Sequence, residues 1–200
     1  IQTSFVMSIF EERIQLIYPA LKKELNYIQA IIPELKTDRK NQLNIAADRI
    51  YELYRSSPNL ILNFICTHNS RRSQLSESWS FLAGWLFCLE KLRSVSGGTQ
   101  ATAFNVRAVR SLEQQGFCIE METTDPNPVY CINIGDGLPS HSQYSKVFNQ
   151  AVKPGESFVA LMTCDHADQN CPIIPEAIAR ISLNFIDPGK SDGTVEESAV

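Results

Sequence analysis

A cysteine and an arginine with five residues between them give this sequence its clearest chemical feature. Residues 66–73 read Cys-Thr-His-Asn-Ser-Arg-Arg-Ser and follow the apolar run 60–65. This order predicts a strand, a loop and a helix, so that the loop N–H groups and the helix N-terminus converge on an anion. The same donors stabilise a thiolate, which makes Cys66 a candidate nucleophile.

The residues around Cys66 suit the binding of a tetrahedral oxyanion. The guanidinium of Arg72 can bind two of its oxygens at once. Ser73 can donate to the thiolate or stabilise it as a leaving group, and Asn69 tolerates the left-handed conformation that a tight loop needs. The predicted oxyanion-binding residues are Thr67, His68, Asn69, Ser70, Arg71 and Arg72. The alternative is a polar turn with a buried cysteine, which the position at the carboxyl end of a first strand disfavours.

A second pair of cysteines, Cys164 and Cys171, follows the apolar run 158–163. The loop between them is polar and acidic. The two thiols can form a disulfide only if the loop brings their Cα atoms within about 7 Å. Two other interpretations stay open: structural cysteines, or zinc ligands together with His166 and Asp168.

Length and composition exclude several classes of protein. A chain of 200 residues suits one domain, with or without an extension, and its 44% hydrophobic content excludes wholesale disorder. The net charge of −4 argues against a nucleic-acid-binding protein. No apolar run approaches the roughly 18 residues of a membrane span, and no signal peptide is visible. We therefore expect a cytoplasmic protein with free thiols, whose partners include neither nucleic acid nor membrane.

The pattern of apolar residues predicts an α/β protein. Residues 1–57 are predicted to form a helical extension that packs on the core or on a partner, and residues 58–200 an α/β domain. Strands are predicted at 60–65, 93–96, 129–134, 158–163 and 181–185, and helices at 74–92 and 105–115, with Gly116 as a helix stop. Ser8 is predicted to begin a helix as part of a capping box. Alternating strands and helices favour a central parallel sheet of about four strands with flanking helices.

The stretch 66–79 resembles the phosphate-binding loop and first helix of the low-molecular-weight tyrosine phosphatase superfamily. It is most similar to the thioredoxin-coupled arsenate reductases of that superfamily. The similarity returns at residues 96–99, 101–105, 107–109, 160–164 and 171–172. It covers roughly residues 59–190 and implies the α/β fold of that superfamily, whereas residues 1–57 resemble only a longer bacterial subgroup.

The resemblance implies a relay of three thiols and no tightly bound cofactor. Cys66 would attack arsenate, Cys164 would attack Cys66 and release arsenite, and Cys171 would attack Cys164. Thioredoxin would then reduce the resulting disulfide as the external reductant. The other three cysteines have no counterpart in this scheme and are predicted to lie in the core: Cys88, Cys118 and Cys131.

The resemblance also implies a general acid and a cation site. The acid of the phosphatases lies in an Asp-Pro dipeptide, which points to Asp187. Asp125 precedes a proline too, and any Asp-Pro can simply begin a turn. Some reductases of the superfamily carry a potassium ion beside the loop, and the matching oxygen donors are Asn69, Glu77, Ser96, Thr123 and Asp125.

The chain departs from the reductase pattern in three places. His68 replaces a glycine, and Arg71 adds a positive charge that we expect to strengthen anion binding. The sequence ends at Val200, where the superfamily normally adds a helix over the sheet. We expect the N-terminal helices to take that helix's place, unless the sequence is truncated.

Three functions therefore stay open. The first is arsenate reduction by the three thiols. The second is hydrolysis of phosphotyrosine or a small phosphoester, with Cys66 as nucleophile and Asp187 as acid. The third is a non-catalytic redox sensor, in which Cys164 traps an oxidised Cys66.

Overall fold

The computed structural model describes residues 2–170 and 174–195. The helices are α1 (Gln2–Arg13), α2 (Pro19–Ile31), α3 (Thr37–Ser56), α4 (Arg72–Leu86), α5 (Val106–Gln114) and α6 (Asp165–Asn170). The strands are β1 (Leu60–Cys66), β2 (Leu92–Gly98), β3 (Cys118–Met121), β4 (Tyr130–Asn133), β5 (Ser140–Gln143), β6 (Phe158–Met162) and β7 (Ala177–Ser182).

The central sheet is parallel and has the strand order β2-β1-β6-β7, which confirms the predicted four-stranded α/β fold. β1 and β6 are buried at every position, as expected for inner strands covered on both faces. Ile65 pairs with Met162, so both strands end at the same edge of the sheet. Whatever follows β1 and β6 in the sequence is therefore brought together there.

The strand predicted at 129–134 does not belong to this sheet. It forms β4 of a separate antiparallel sheet with β3 and β5. The connections between these three strands are too short for a parallel crossover, so only antiparallel pairing is available to them. The last strand also lies earlier than predicted, although Leu183 and Phe185 continue backbone hydrogen bonds to Met162 and Thr163 beyond its end.

The N-terminal helices pack on the α/β part of the chain from two sides. Ile50 and Leu53 of α3 cover the sheet face formed by Leu60, Leu62 and Phe64. On the other side, apolar residues of the α1–α2 segment join a buried cluster with residues of α4 and α5: Ile14, Ile17, Leu21, Leu82 and Leu112. Within the described residues, no helix has the length and the apolar content to cross a membrane.

Helix ends explain the remaining differences. α1 begins at Gln2, so the capping box predicted at Ser8 is wrong. α4 ends at Leu86, six residues earlier than predicted, where the chain turns through Cys88 in a left-handed conformation (φ 55°). The N-cap at Asn105, whose side chain accepts from the N–H of Arg107, and the stop at Gly116 (φ 102°) agree with the prediction for α5.

The prediction that three cysteines lie in the core is wrong. Cys118 is exposed on β3, and Cys88 and Cys131 are only half-buried. Cys118 lies on β3, an edge strand of the small sheet, and Cys88 follows the end of α4. Neither side chain is therefore enclosed by core residues on all sides.

Candidate active site

The candidate site lies where three neighbouring strands of the central sheet end. Cys66 is the last residue of β1, Cys164 follows β6 and Asp187 follows β7. Because these strands are parallel neighbours, the segments that follow them meet at one edge of the sheet. Cys66 and Cys164 are 4% and 1% exposed and belong to the same buried cluster.

The loop of residues 66–72, here called the oxyanion loop, turns its carbonyl oxygens outward. Each carbonyl from residue 66 to 71 accepts a hydrogen bond from elsewhere, so the N–H groups across the same peptide planes face the opposite way. The donors are Thr99, Gln100, Thr102, Asn105 and Ser145 from neighbouring segments and Gln74 and Leu75 from α4. The outward carbonyl oxygens agree with the predicted loop, and the binding of an anion by its N–H groups stays a prediction.

Gly98 lets β2 approach the oxyanion loop closely. A Cβ atom at this position would lie 2.7 Å from the carbonyl oxygen of Thr67 and 2.8 Å from the backbone nitrogen of Asn69. No side chain fits there without moving the loop.

Asn69 fixes the loop through its backbone and its side chain. Its φ of 46° is the left-handed conformation predicted for this position. Its Oδ1 accepts the backbone N–H of Lys146 at 2.8 Å, which settles the orientation of the amide. Nδ2 then donates to the hydroxyls of Ser73 at 2.9 Å and Ser96 at 2.8 Å.

Two donors are directed at the sulfur of Cys66. The hydroxyl of Ser73 lies 3.0 Å from the sulfur and already accepts a hydrogen bond from Asn69, so its own proton is available to Cys66. The backbone N–H of Asn69 donates to the same sulfur at 3.2 Å. Donation to the charged form favours a thiolate over a thiol.

Arg72 is held by the segment that follows β7. Its guanidinium lies 2.9 Å from Oδ2 of Asp187 and donates to the carbonyl of Phe185 at 3.1 Å. The other carboxylate oxygen of Asp187 accepts the N–H of Gly189 at 2.9 Å, so Asp187 also begins a turn. Asp125 accepts the N–H of Asn127 at 3.1 Å in a turn of its own. Of the two aspartates that precede a proline, Asp187 is therefore the one that contacts Arg72 at the candidate site.

The side chain of Arg71 is paired with acidic residues that follow β7. Its guanidinium pairs with Asp192 at 2.5 Å and lies 4.0 Å from Asp187, so its charge holds residues 187–192 against the loop. The expectation that Arg71 strengthens anion binding stays a prediction, and in this structure its guanidinium is paired with Asp192. Ser70 donates to the carbonyl of Ala103 at 2.7 Å, while the side chain of His68 is exposed.

Cys164 lies beside Thr67 of the oxyanion loop. Its sulfur is 3.5 Å from the hydroxyl of Thr67 and accepts the N–H of Ala167 at 3.4 Å. Cys171, the third predicted thiol, lies outside the described residues.

The zinc interpretation of this loop finds no support in the described part of the chain. Asp168 is bound by Arg180 at 2.6 Å and by Asn184 at 3.3 Å. Burial alone would raise the pKa of Asp168, but hydrogen bonds from Ser182, Arg180 and Asn184 lower it below its usual value. No group of three metal-ligating side chains occurs among the residues described.

The five residues predicted as potassium donors form hydrogen bonds with protein groups in two parts of the described structure. Asn69, Ser96 and Glu77 form one chain of hydrogen bonds, in which Asn69 presents nitrogen and Ser96 donates to Glu77. Thr123 and Asp125 accept backbone N–H groups at 3.0 and 3.1 Å in a separate turn.

The carboxylate of Glu77 already faces protein donors and a positive charge. His141 lies 2.7 Å from its second oxygen, and Lys146 is 8% exposed nearby. Burial lowers the pKa of Lys146, and the charge of Glu77 opposes that shift. A hard cation prefers several converging oxygen atoms. Binding of a potassium ion at these residues stays a prediction.

Sequence reasoning missed the polar network under the oxyanion loop. Four polar side chains of α4 are at most 1% exposed: Ser73, Gln74, Glu77 and Ser78. Polar residues at this helical spacing were the available signal that one face of α4 is polar and buried. The sequence offers no such signal for Lys146 or His141. These residues lie on or just after β5, and the fold of the β3–β5 sheet brings them to the site from far along the chain.

Comparison with known proteins gives a consistent set of relatives, although no protein-family model matches the chain. The arsenate reductase 2 of Staphylococcus haemolyticus is 30% identical over 125 residues, which are 62% of this chain and 76% of that protein. The arsenate reductase of Halalkalibacterium halodurans is 28% identical over 137 residues, 68% of this chain and 80% of that protein. The arsenate reductase of Bacillus subtilis is 27% identical over 139 residues, 70% of this chain and 81% of that protein.

Among solved structures, the chain aligns with the thioredoxin-dependent arsenate reductase Cg_ArsC1' of Corynebacterium glutamicum. The TM-score is 0.37 and the sequence identity 17%, over 94% of this chain and 87% of that one.

Proposed function

This chain belongs to the arsenate reductase family, and we propose that it reduces arsenate to arsenite with Cys66 as the first nucleophile. The observation that carries the proposal is the set of hydrogen bonds to the sulfur of Cys66. Cys66 receives hydrogen bonds from Ser73 and from the backbone of Asn69, at the base of a loop whose N–H groups point away from its bonded carbonyl oxygens.

The first step is attack on arsenic. The loop N–H groups and Arg72 bind the arsenate oxygens, and the Cys66 thiolate forms a sulfur–arsenic bond while one oxygen leaves as water. Since Arg72 is paired with Asp187 at 2.9 Å, the arsenate must share or displace that carboxylate.

The second step reduces arsenic. Cys164 attacks the sulfur of Cys66, a disulfide forms between them and the sulfur–arsenic bond breaks. The electron pair of that bond stays on arsenic, which leaves as arsenite. The neighbouring ends of β1 and β6 place the two cysteines in one buried cluster, as this exchange requires.

The third step regenerates Cys66. Cys171 attacks Cys164, so that the disulfide passes to Cys164 and Cys171 and the Cys66 thiolate is released. Thioredoxin then supplies two electrons by thiol–disulfide exchange and restores both thiols. One arsenate and one reduced thioredoxin thus give one arsenite, one water and one oxidised thioredoxin.

A coupled assay tests the proposal. Purified protein is mixed with arsenate, thioredoxin, thioredoxin reductase and NADPH, and NADPH oxidation is followed. We expect multiple turnovers in the wild type, none in Cys66→Ser and none in Cys171→Ser. Cys118→Ser is the matched control, because Cys118 is exposed on β3 and lies outside the relay. Full multiple-turnover activity in Cys171→Ser contradicts the relay.

A phosphatase activity of the same site is the second candidate, and the contact between Asp187 and Arg72 favours it. A carboxylic acid beside the bound oxyanion can protonate a leaving alkoxide. para-Nitrophenyl phosphate tests this: Asp187→Asn is expected to abolish hydrolysis and to spare arsenate reduction. A protein inert in both assays that forms a Cys66–Cys164 disulfide with peroxide would instead be the redox sensor.

A further inference from the structure

His166 stands beside Cys164, and the relay as described leaves it without a role. Its Nδ1 atom lies 3.3 Å from the hydroxyl of Thr67, and the same hydroxyl lies 3.5 Å from the sulfur of Cys164. The three groups form a chain from a buried thiol to an exposed imidazole.

We propose that His166 accepts the proton of Cys164 through Thr67 and so generates the thiolate that attacks Cys66. The inference rests on the proposed function, because it concerns the second step of the relay. His166 does not touch arsenate in this scheme and acts only through Thr67.

The proton transfer balances without any further reagent. The oxygen of Thr67 takes the thiol proton of Cys164 while its own proton passes to Nδ1 of His166. Thr67 ends the step as a neutral hydroxyl, and His166 becomes an imidazolium ion. The Cys164 thiolate then bonds to the sulfur of Cys66, and the electron pair of the broken sulfur–arsenic bond stays on arsenic.

The burial of Cys164 explains why it needs a partner inside the protein. Cys164 is 1% exposed, so hydroxide and buffer bases reach its thiol poorly. The N–H of Ala167 donates to the sulfur at 3.4 Å and stabilises the thiolate once it exists, but an amide cannot remove the proton.

Other possible proton acceptors near the Cys164 thiol are hydrogen-bonded elsewhere or lie off the path through Thr67. Asp168, two residues beyond His166, is bound to Arg180 at 2.6 Å. Within the described residues, the side chains of Asp165 and His68 form no hydrogen bond to Cys164 or Thr67, whereas His166 does contact Thr67. Among the described residues, the other titratable and charged groups of the elements that meet here are Cys66, His68, Arg71, Arg72, Asp165, Asp168, Arg180 and Asp187. An imidazole on a hydrogen-bonded path is the best base among them, because it changes charge near neutral pH.

The test measures how fast the Cys66–Cys164 disulfide forms in single turnovers. Arsenate is added in a Cys171→Ser background, which stops the relay at that disulfide. Samples are quenched with acid, free thiols are alkylated, and the disulfide is quantified by mass spectrometry between about pH 5.5 and pH 9.

His166→Ala is expected to slow disulfide formation by about a hundredfold at neutral pH, the lower end of the range for general acid–base catalysis. The deficit is expected to shrink above about pH 8, because the rising hydroxide concentration offsets the poor access to the buried thiol. His166→Gln keeps a polar side chain and is expected to be equally slow. Thr67→Val, which breaks the path, should behave like these variants, and Thr67→Ser should keep most of the rate.

Gln169→Ala is the matched control, because Gln169 is exposed on the same helix. It is expected to keep the rate and the pH profile of the Cys171→Ser parent. Equal rates and equal pH profiles in His166→Ala and the parent overturn the inference and leave the proposed function standing. A parent that forms no disulfide with arsenate overturns both.

Discussion

The hydroxyl of Ser73 lies 3.0 Å from the sulfur of Cys66 and is oriented by the side-chain amide of Asn69. Asn69 is itself oriented, because its Oδ1 accepts the backbone N–H of Lys146. A series of hydrogen bonds therefore runs from the backbone N–H of Lys146 through Asn69 and Ser73 to the sulfur of Cys66.

Ser73→Ala removes the hydroxyl donor to the thiolate. A hydrogen bond to a charged group contributes about 1.5–3 kcal/mol, so we expect Cys66 to react at least about tenfold more slowly with iodoacetamide at neutral pH. Ser76→Ala is the control, since the hydroxyl of Ser76 donates to the carbonyl of Arg72 on the same helix. Equal alkylation rates in Ser73→Ala and the wild type would show that the hydroxyl does not stabilise the thiolate.

Asp187→Asn removes the carboxylate that occupies Arg72 at 2.9 Å. Because arsenate no longer competes with this negative charge, we expect the KM for arsenate to fall severalfold while kcat stays within about a factor of three. Asp192→Asn is the matched control, since Asp192 pairs with Arg71 and Arg107. A raised KM in Asp187→Asn would instead mean that the carboxylate helps to place the oxyanion.

Substitutions of Asn69 separate its backbone role from its side-chain role. Asn69→Ala loses both, since alanine disfavours the φ of 46°, whereas Asn69→Gly keeps the backbone conformation and loses the amide. We expect Asn69→Gly to exceed Asn69→Ala in unfolding free energy by about 1 kcal/mol. Both should lose at least about tenfold in kcat/KM for arsenate, as expected when a hydrogen-bonded support is removed. An active Asn69→Gly would mean that only the backbone matters.

Asp168→Asn tests the attachment of α6 to β7. The pKa of Asp168 is lowered on folding, so its stabilising effect is present above the ordinary carboxyl pKa of about 3.9 and is lost as pH falls through the lower folded value. We expect Asp168→Asn to lose about 1–2 kcal/mol of unfolding free energy at neutral pH, and less below about pH 4.

The control for Asp168→Asn is Asp165→Asn, because Asp165 is exposed on the same helix. Urea unfolding at several pH values measures both variants. A loss in Asp168→Asn that stays constant down to acidic pH would contradict the assigned role of the carboxylate.

The parts of the fold that depend on local pattern could be predicted from the sequence. The apolar run before Cys66, the polar loop and the amphipathic helix after it determine the strand, loop and helix that place Cys66, Arg72 and Asn69. The left-handed conformation of Asn69 follows from the same reasoning, because few residue types tolerate it.

The contacts that depend on distant segments could not be predicted in this way. Arg71 and Arg72 are adjacent in sequence, yet they pair with Asp192 and Asp187, and only the folded segment after β7 decides which carboxylate each arginine meets. Likewise, Lys146 reaches Asn69 only because the β3–β5 sheet returns the chain to this edge. Hydrophobic periodicity carries no information about such polar pairings.

The most direct test of the relay is a single turnover in Cys171→Ser. One equivalent of arsenite per chain and a disulfide between Cys66 and Cys164, found together by arsenic speciation and peptide mass spectrometry, are the expected results. Arsenite release without that disulfide, or no arsenite at all from a folded protein, would contradict the central claim that Cys66 and Cys164 together reduce arsenate.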